Sequence, residues 1–261
     1  MAKIISIVNQ KGGTGKSACA ANLGVGLALM NQKVLIVDAD PQSDVSASLG
    51  YRDCDDSNET LTNLMEMVLS DKDIPGDCFI RHQGEGVDMI CSNIGLAGTE
   101  VQLVNAMSRE FVLKQIINKV KNQYDTILID CMPSLGMITI NALAASDEVL
   151  IPVEASYLPI RGLQQLLKTI GKVRRQINPK LQIAGILFTM VDPYTNDAKN
   201  NMELLHNVYG NQIHVFDHFI PFSVRMKEAV REGQSIFCYD MKGKVADAYR
   251  KLAEEVLANG G

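Results

Sequence analysis

Short apolar runs, each closed by a polar or glycine-bearing turn and followed by a longer stretch at helical spacing, recur along the chain. Residues 4–8, 34–37, 87–91, 148–152 and 182–188, and the run that ends at Asp130, are dominated by Ile, Val and Leu. Such runs read as strands buried on both faces. A further strand is expected to end at Ile220-Pro221. Residues 17–30, 61–69, 99–122, 161–180 and 242–258 carry helical spacing, the third as one helix or two. In that segment Val101, Val104, Met107, Phe111, Val112, Ile116 and Val120 are expected to face the core. Residues 51–86, polar at both ends, are expected to be surface elaborations. Strands alternating with helices predict an α/β fold: a doubly wound, mostly parallel sheet with helices on both faces.

Composition narrows this only modestly. A chain of 261 residues with 46% hydrophobic positions can bury a substantial core, and no Pro/Gly/Ser tract divides it, so residues 1–261 read as one domain. The first apolar run is too short for a secretory signal, and no stretch approaches the ~20 apolar residues of a membrane span. The expectation is a cytoplasmic protein. Cys19, Cys54, Cys78, Cys91, Cys131 and Cys238 are widely spaced without a C-x-x-C pair, which argues for reduced, mostly packed thiols. The charge is unevenly divided. Residues 1–150 hold 11 basic and 19 acidic side chains, whereas residues 151–261 hold 14 and 11. The C-terminal part is the side suited to a polyanion.

Candidate chemistry sits at the ends of three apolar runs. After the first comes Lys11-Gly12-Gly13-Thr14-Gly15-Lys16-Ser17. Its glycines can turn successive N–H groups inward around a phosphate, and the helix that follows adds its positive end. Lys16 would reach the β/γ oxygens, and Ser17 would ligate Mg²⁺. Thr14, inside the loop, and Ala18, just after it, complete the expected nucleotide contacts. After the second run comes Asp38-Ala39-Asp40-Pro41-Gln42, two carboxylates where open α/β sheets bind ligands. The third ends in Asp130, which fits a Walker B aspartate holding Mg²⁺ through water.

Lys11 has no role in a simple phosphate loop. With it, the chain resembles the ParA/MinD family of deviant-Walker P-loop NTPases, and within it the ParA-like (Soj-like) partition proteins. The resemblance extends to Asp38–Gln42, to Asp130 followed by Pro133-Ser134-Leu135-Gly136, and to Thr139-Ile140-Asn141-Ala142-Leu143. It implies an ATP-sandwiched homodimer in which Lys11 crosses to the partner's nucleotide. It further implies that Asp40 orients or activates the attacking water, with Asp38 in support near the metal. Glu154, in Glu154-Ala155-Ser156-Tyr157, would meet the partner's ribose, and Met190 and Pro221 would wall the adenine. A ParA-like protein also implies a ParB-like activator, non-specific DNA binding and residence on the nucleoid when ATP is bound.

Several positions depart from the family's pattern: Ser17-Ala18 stand for a threonine pair, Met132 for a proline, and Tyr194 and Phe222 for arginines. Met132 implies a softer turn after Asp130. DNA contact must then rest on Arg225, Lys227, Arg231 and a basic helix carrying Lys168, Lys172 and Arg175 opposite Leu163, Leu166, Ile170, Val173 and Ile177. The last helix places Val245, Ala248, Leu252, Val256 and Leu257 on one face. Glu254 and Glu255 favour core packing over the basic membrane helix of a MinD-like protein. Two other readings stay open: a nucleotide-switched regulatory or positioning module with little hydrolysis, and a MinD-like membrane switch.

Overall fold

Alternate residues of the central strands enter different apolar layers. Ile4 and Leu35 pack in one and Ile5 and Ile36 in the other, as the period of two in a strand requires. The computed structural model describes residues 2–76, 79–155 and 160–259, with the side chains of Ile160 and Arg161 outside it. Cys78, Ser156 and Tyr157 therefore lie outside the described residues. In chain order the elements are β1 (Lys3–Ile7), α1 (Lys16–Ala28), β2 (Val34–Ala39), α2 (Asp44–Ser48), α3 (Leu61–Leu69), β3 (Arg81–His82), β4 (Val87–Ile90), α4 (Leu96–Leu103), α5 (Val112–Val120), β5 (Thr126–Cys131) and α6 (Met137–Ala145). They continue with β6 (Glu148–Glu154), α7 (Ile160–Gln176), β7 (Gln182–Thr189), α8 (Asn196–Tyr209), α9 (Val224–Glu232), α10 (Ile236–Tyr239) and α11 (Lys244–Ala258).

The strands form one sheet in the order β3-β4-β2-β5-β1-β6-β7. Only β3 runs antiparallel, paired to β4. This is the predicted doubly wound sheet. One face is covered by α3 to α8, and the other by α1, α2 and α9 to α11. Helix α1 is buried almost all round, since the Ala- and Leu-rich segment offers little polar surface. At Gly24 a Cβ would come within 2.7 Å of Ile36 Cδ1, so the missing side chain lets α1 lie close on β2. In α7 the apolar Leu163, Leu166, Ile170 and Val173 are buried, and Lys168, Lys172 and Arg175 are exposed. The two-faced reading of that helix is correct.

Four expectations fail for identifiable reasons. Val101, Val104 and Met107 are 70%, 52% and 95% exposed. The helical register breaks between α4 and α5, where Ser108 takes φ +50°, so only Leu96, Thr99 and Leu103 of α4 turn inward. Segment 51–86 is not all elaboration, because α3 buries Leu61, Leu64 and Met65 in the core. No strand ends at Ile220-Pro221; Pro221 makes one isolated bridge to Val191. At the end of α11, Leu257 is 36% exposed, while Val245, Leu252 and Val256 are buried against α1.

Candidate nucleotide-binding and active site

The C-terminal ends of β1, β2, β5, β6 and β7 open on one edge of the sheet, the edge where ligands bind in doubly wound folds. After β1 the chain turns through Gly13 (φ +73°) and Gly15 (φ +78°), in the left-handed region that glycine enters without a steric cost. Two distant contacts hold this loop. Thr189 Oγ1, at the end of β7, donates to the Thr14 carbonyl at 2.9 Å. Asn9 Nδ2 donates to the Pro152 carbonyl at 2.6 Å, while Asn9 Oδ1 accepts from Lys11 N at 3.0 Å. Helix α1 then begins at Lys16 with Gly15 as its cap, so no side chain caps its first N–H groups, and no acidic residue occupies its first turn. Those N–H groups and the helix dipole are oriented for an anion.

Around the loop stand the buried ammonium of Lys16 and the carboxylates of Asp38, Asp40 and Asp130. Lys16 is 6% exposed, and its Nζ donates to the Lys11 carbonyl at 3.3 Å. Burial pushes its pKa down, against the opposing pull of Asp130 and Asp40. Asp38 and Asp130 are register partners on β2 and β5, and both are fully buried. Asp38 is satisfied: it accepts from Asp40 N at 3.1 Å, Ser46 N at 3.1 Å and Ser46 Oγ at 2.6 Å. Burial outweighs these bonds and raises its pKa to about 7. Asp130 is not satisfied. Neither of its oxygens has a hydrogen-bond partner among the described residues. Burial first, then the charge of Asp38, raises its pKa well above the carboxylate range; the facing Ser17 hydroxyl and Lys16 act the other way.

An unpaired buried carboxylate beside a hydroxyl and below a phosphate loop fits a hard divalent cation. Mg²⁺ takes one or two protein oxygens and completes its shell with water and phosphate. Asp40, 6% exposed, turns its Oδ1 to Gln42 N at 2.9 Å and sits on the same edge.

Next to the loop lies a cavity of about 300 Å³, whose walls include Gly15, Ala18, Met190, Pro221, Phe222 and Tyr249. Gly15, Ala18, Met190 and Pro221 are thus brought together as the sequence reading expects. Phe222 and Tyr249 were missed, because a residue's place on a cavity wall leaves no local pattern in the chain. Thr189 and Asn9 were missed for the same reason.

The remaining candidates make contacts of their own. Lys227, grouped by sequence with the DNA contacts, lines this cavity with its Nζ 5.7 Å from the centre of the Phe222 ring. Arg225 pairs with Asp240 at 3.4 Å, and the Arg231 carbonyl accepts from Arg52. Helix α9, which carries these three residues, packs on the opposite face of the sheet from α7. The six proposed DNA contacts therefore form two groups. Glu154 contacts Lys11 of its own chain, Nζ to Oε2 2.7 Å. The turn after Asp130 is braced despite Met132: Thr139 Oγ1 donates to the Ser134 carbonyl at 2.9 Å and Ser134 N to the Met132 carbonyl at 2.8 Å. Cys19, Cys54, Cys91 and Cys131 are buried and Cys238 is exposed. Among the described residues no three His, Cys, Asp or Glu side chains cluster as metal ligands, and no helix is long and apolar enough to cross a membrane.

Loop, strand-end carboxylates and sheet order together define a P-loop nucleotide-binding fold. A family model described as an AAA domain (AAA_31) matches residues 2–183. The chain is 42% identical over 260 residues to the sporulation initiation inhibitor protein Soj of Bacillus subtilis, covering 100% of both. It is 40% identical over 261 residues to the chromosome-partitioning ATPase Soj of Treponema pallidum, covering 100% of this chain and 99% of that one. Among solved structures it is similar to cobyrinic acid a,c-diamide synthase from Mycobacterium smegmatis with bound ATP analog and magnesium. There the TM-score is 0.87 at 30% identity, covering 100% of this chain and 96% of the other. The chain belongs to the AAA_31 family and, within it, to the Soj/ParA partitioning ATPases.

Proposed function

We propose that this chain is a Mg²⁺-dependent ATPase of the ParA type, which dimerises around ATP, binds DNA without sequence preference and partitions a replicon with a ParB-like activator. The observation that carries the reading is Asp130: a fully buried carboxylate, unpaired among the described residues, facing Ser17 and Lys16 under a glycine loop. The names of the relatives support the partitioning role.

Gly12, Gly13, Thr14 and Gly15 cradle the phosphates with their N–H groups, and Ala18, Met190 and Pro221 line the base cavity. Lys16 exchanges the Lys11 carbonyl for a phosphate oxygen. Ser17 and Asp130 would hold Mg²⁺, which would supply charge compensation for the triphosphate. Asp40 orients a water whose oxygen attacks the γ-phosphorus as the bond to the β–γ bridging oxygen breaks, giving ADP and phosphate. Lys11 of the partner protomer completes the positive shell around the transferring phosphoryl. Lys168, Lys172 and Arg175 on α7, with Arg225, Lys227 and Arg231 on α9, supply the phosphate contacts to DNA.

The deciding experiment is DNA binding with ATP, with ADP and without nucleotide, run beside ATP turnover for the native chain and for Asp40→Ala. The expected result is ATP-dependent binding that weakens steeply with salt, and an Asp40→Ala chain that binds ATP without turning it over. Undiminished turnover in Asp40→Ala removes that residue from the mechanism. DNA binding that is undetectable or independent of salt favours the nucleotide-switched regulatory module.

A further inference from the structure

Lys11 and Lys16 are both engaged internally, and the two engagements meet in one residue. The Lys11 side chain pairs with Glu154 at 2.7 Å, and its carbonyl accepts the Lys16 ammonium at 3.3 Å and the Thr14 hydroxyl at 3.4 Å. Asn9 sets the geometry, since it bonds the Pro152 carbonyl with its amide nitrogen and Lys11 N with its amide oxygen. The start of the phosphate loop is thereby held against the last residues of β6, and Glu154 is the carboxylate that position offers. The pair is partly open to solvent, with the side chains 34% and 26% exposed. An ion pair in such a setting is weak enough to exchange for a triphosphate.

We infer that Glu154 is the resting-state partner of Lys11, a positioning residue that keeps the lysine in cis until ATP draws Lys16 off the Lys11 carbonyl and a second protomer presents its phosphates. The inference rests on the dimer reading proposed above and adds a competitor to it. Each protomer enters the dimer by trading an internal carboxylate for the partner's nucleotide, so the trade sets the threshold for assembly. The threshold is low: an ion pair of this exposure is worth about twofold to fivefold in affinity, and it weakens as salt screens it.

A zero-length carbodiimide, which joins an amine to a carboxylate only where the two touch, reads this contact directly. In the nucleotide-free monomer, peptide mass spectrometry should find an intrachain Lys11–Glu154 link. Asp40→Ala loaded with Mg²⁺ and ATP should lose most of it as sedimentation shows the dimer. Glu154→Gln should dimerise at about twofold to fivefold lower protein concentration at low salt, with the advantage vanishing at high salt, and Glu154→Asp should restore the native threshold. A dimer that retains the link, or a Glu154→Gln threshold equal to the native one at low salt, overturns the exchange. A missing link in the monomer overturns the resting pair. A chain that stays monomeric with nucleotide while the monomer link is present overturns the dimer reading, and the exchange with it.

Discussion

The ends of β2 and β5 lie side by side, and each carries a fully buried aspartate in register with the other. Their surroundings are opposite. Asp38 is closed off by three hydrogen bonds from Asp40 and Ser46, whereas Asp130 has none among the described residues. A buried carboxylate that its own chain satisfies is part of the framework. One that the chain leaves unsatisfied carries a desolvation cost that a proton or a bound cation offsets. In the proposed mechanism the cation therefore falls to β5 and the loop beside it, while β2 supplies the wall that keeps α2 and the water-orienting Asp40 in place.

The sharpest test of that division is Lys16→Ala, which removes the ammonium buried beside Asp130. Nucleotide affinity should fall about 100-fold, roughly 3 kcal/mol, by calorimetric titration. Unchanged affinity would take the phosphate site away from this loop. Next in size is Asp38→Ala, which strips Ser46 and Asp40 of their buried acceptor and should cost about 1–3 kcal/mol in denaturant unfolding without nucleotide.

Asp38→Asn keeps an acceptor and isolates the charge. Burial raises the Asp38 pKa to about 7 from an ordinary 3.8, so its proton favours the folded chain. That contribution is complete below about pH 4 and is lost as pH rises through 7. Denaturation at pH 5 and pH 8 should show a smaller difference in Asp38→Asn than in the native chain. The smallest effect on stability belongs to Asp130→Asn, within about 1 kcal/mol without nucleotide. The same change should abolish the Mg²⁺ dependence of ATP affinity. An Asp130→Asn chain as destabilised as Asp38→Ala would erase the contrast between the two strand ends.

Local pattern made much of the fold and part of the site legible. The loop, both strand-end carboxylates and the strands that carry them follow from apolar runs broken by glycines and aspartates over a few residues. The misreadings arose where a property is not local. Val101 and Met107 have the spacing of a core face, but the register breaks at Ser108 and turns them outward. The charge of Lys227 does not reveal that α9 sets it over the Phe222 ring at the cavity. Asp38 and Asp130 look alike in sequence, and Asp40 and Ser46, two and eight residues past Asp38, separate their surroundings.

The contact between Thr189 and Thr14 spans 175 residues, and the cavity beside the loop takes its walls from positions as late as Tyr249. A growing polypeptide would expose its glycine loop long before the parts that fasten and flank it exist. Full nucleotide affinity is therefore acquired only once synthesis has passed Tyr249. Because a ligand that binds only the folded state stabilises it by mass action, cellular nucleotide would favour chains that carry Thr189 and Tyr249 over chains truncated before them.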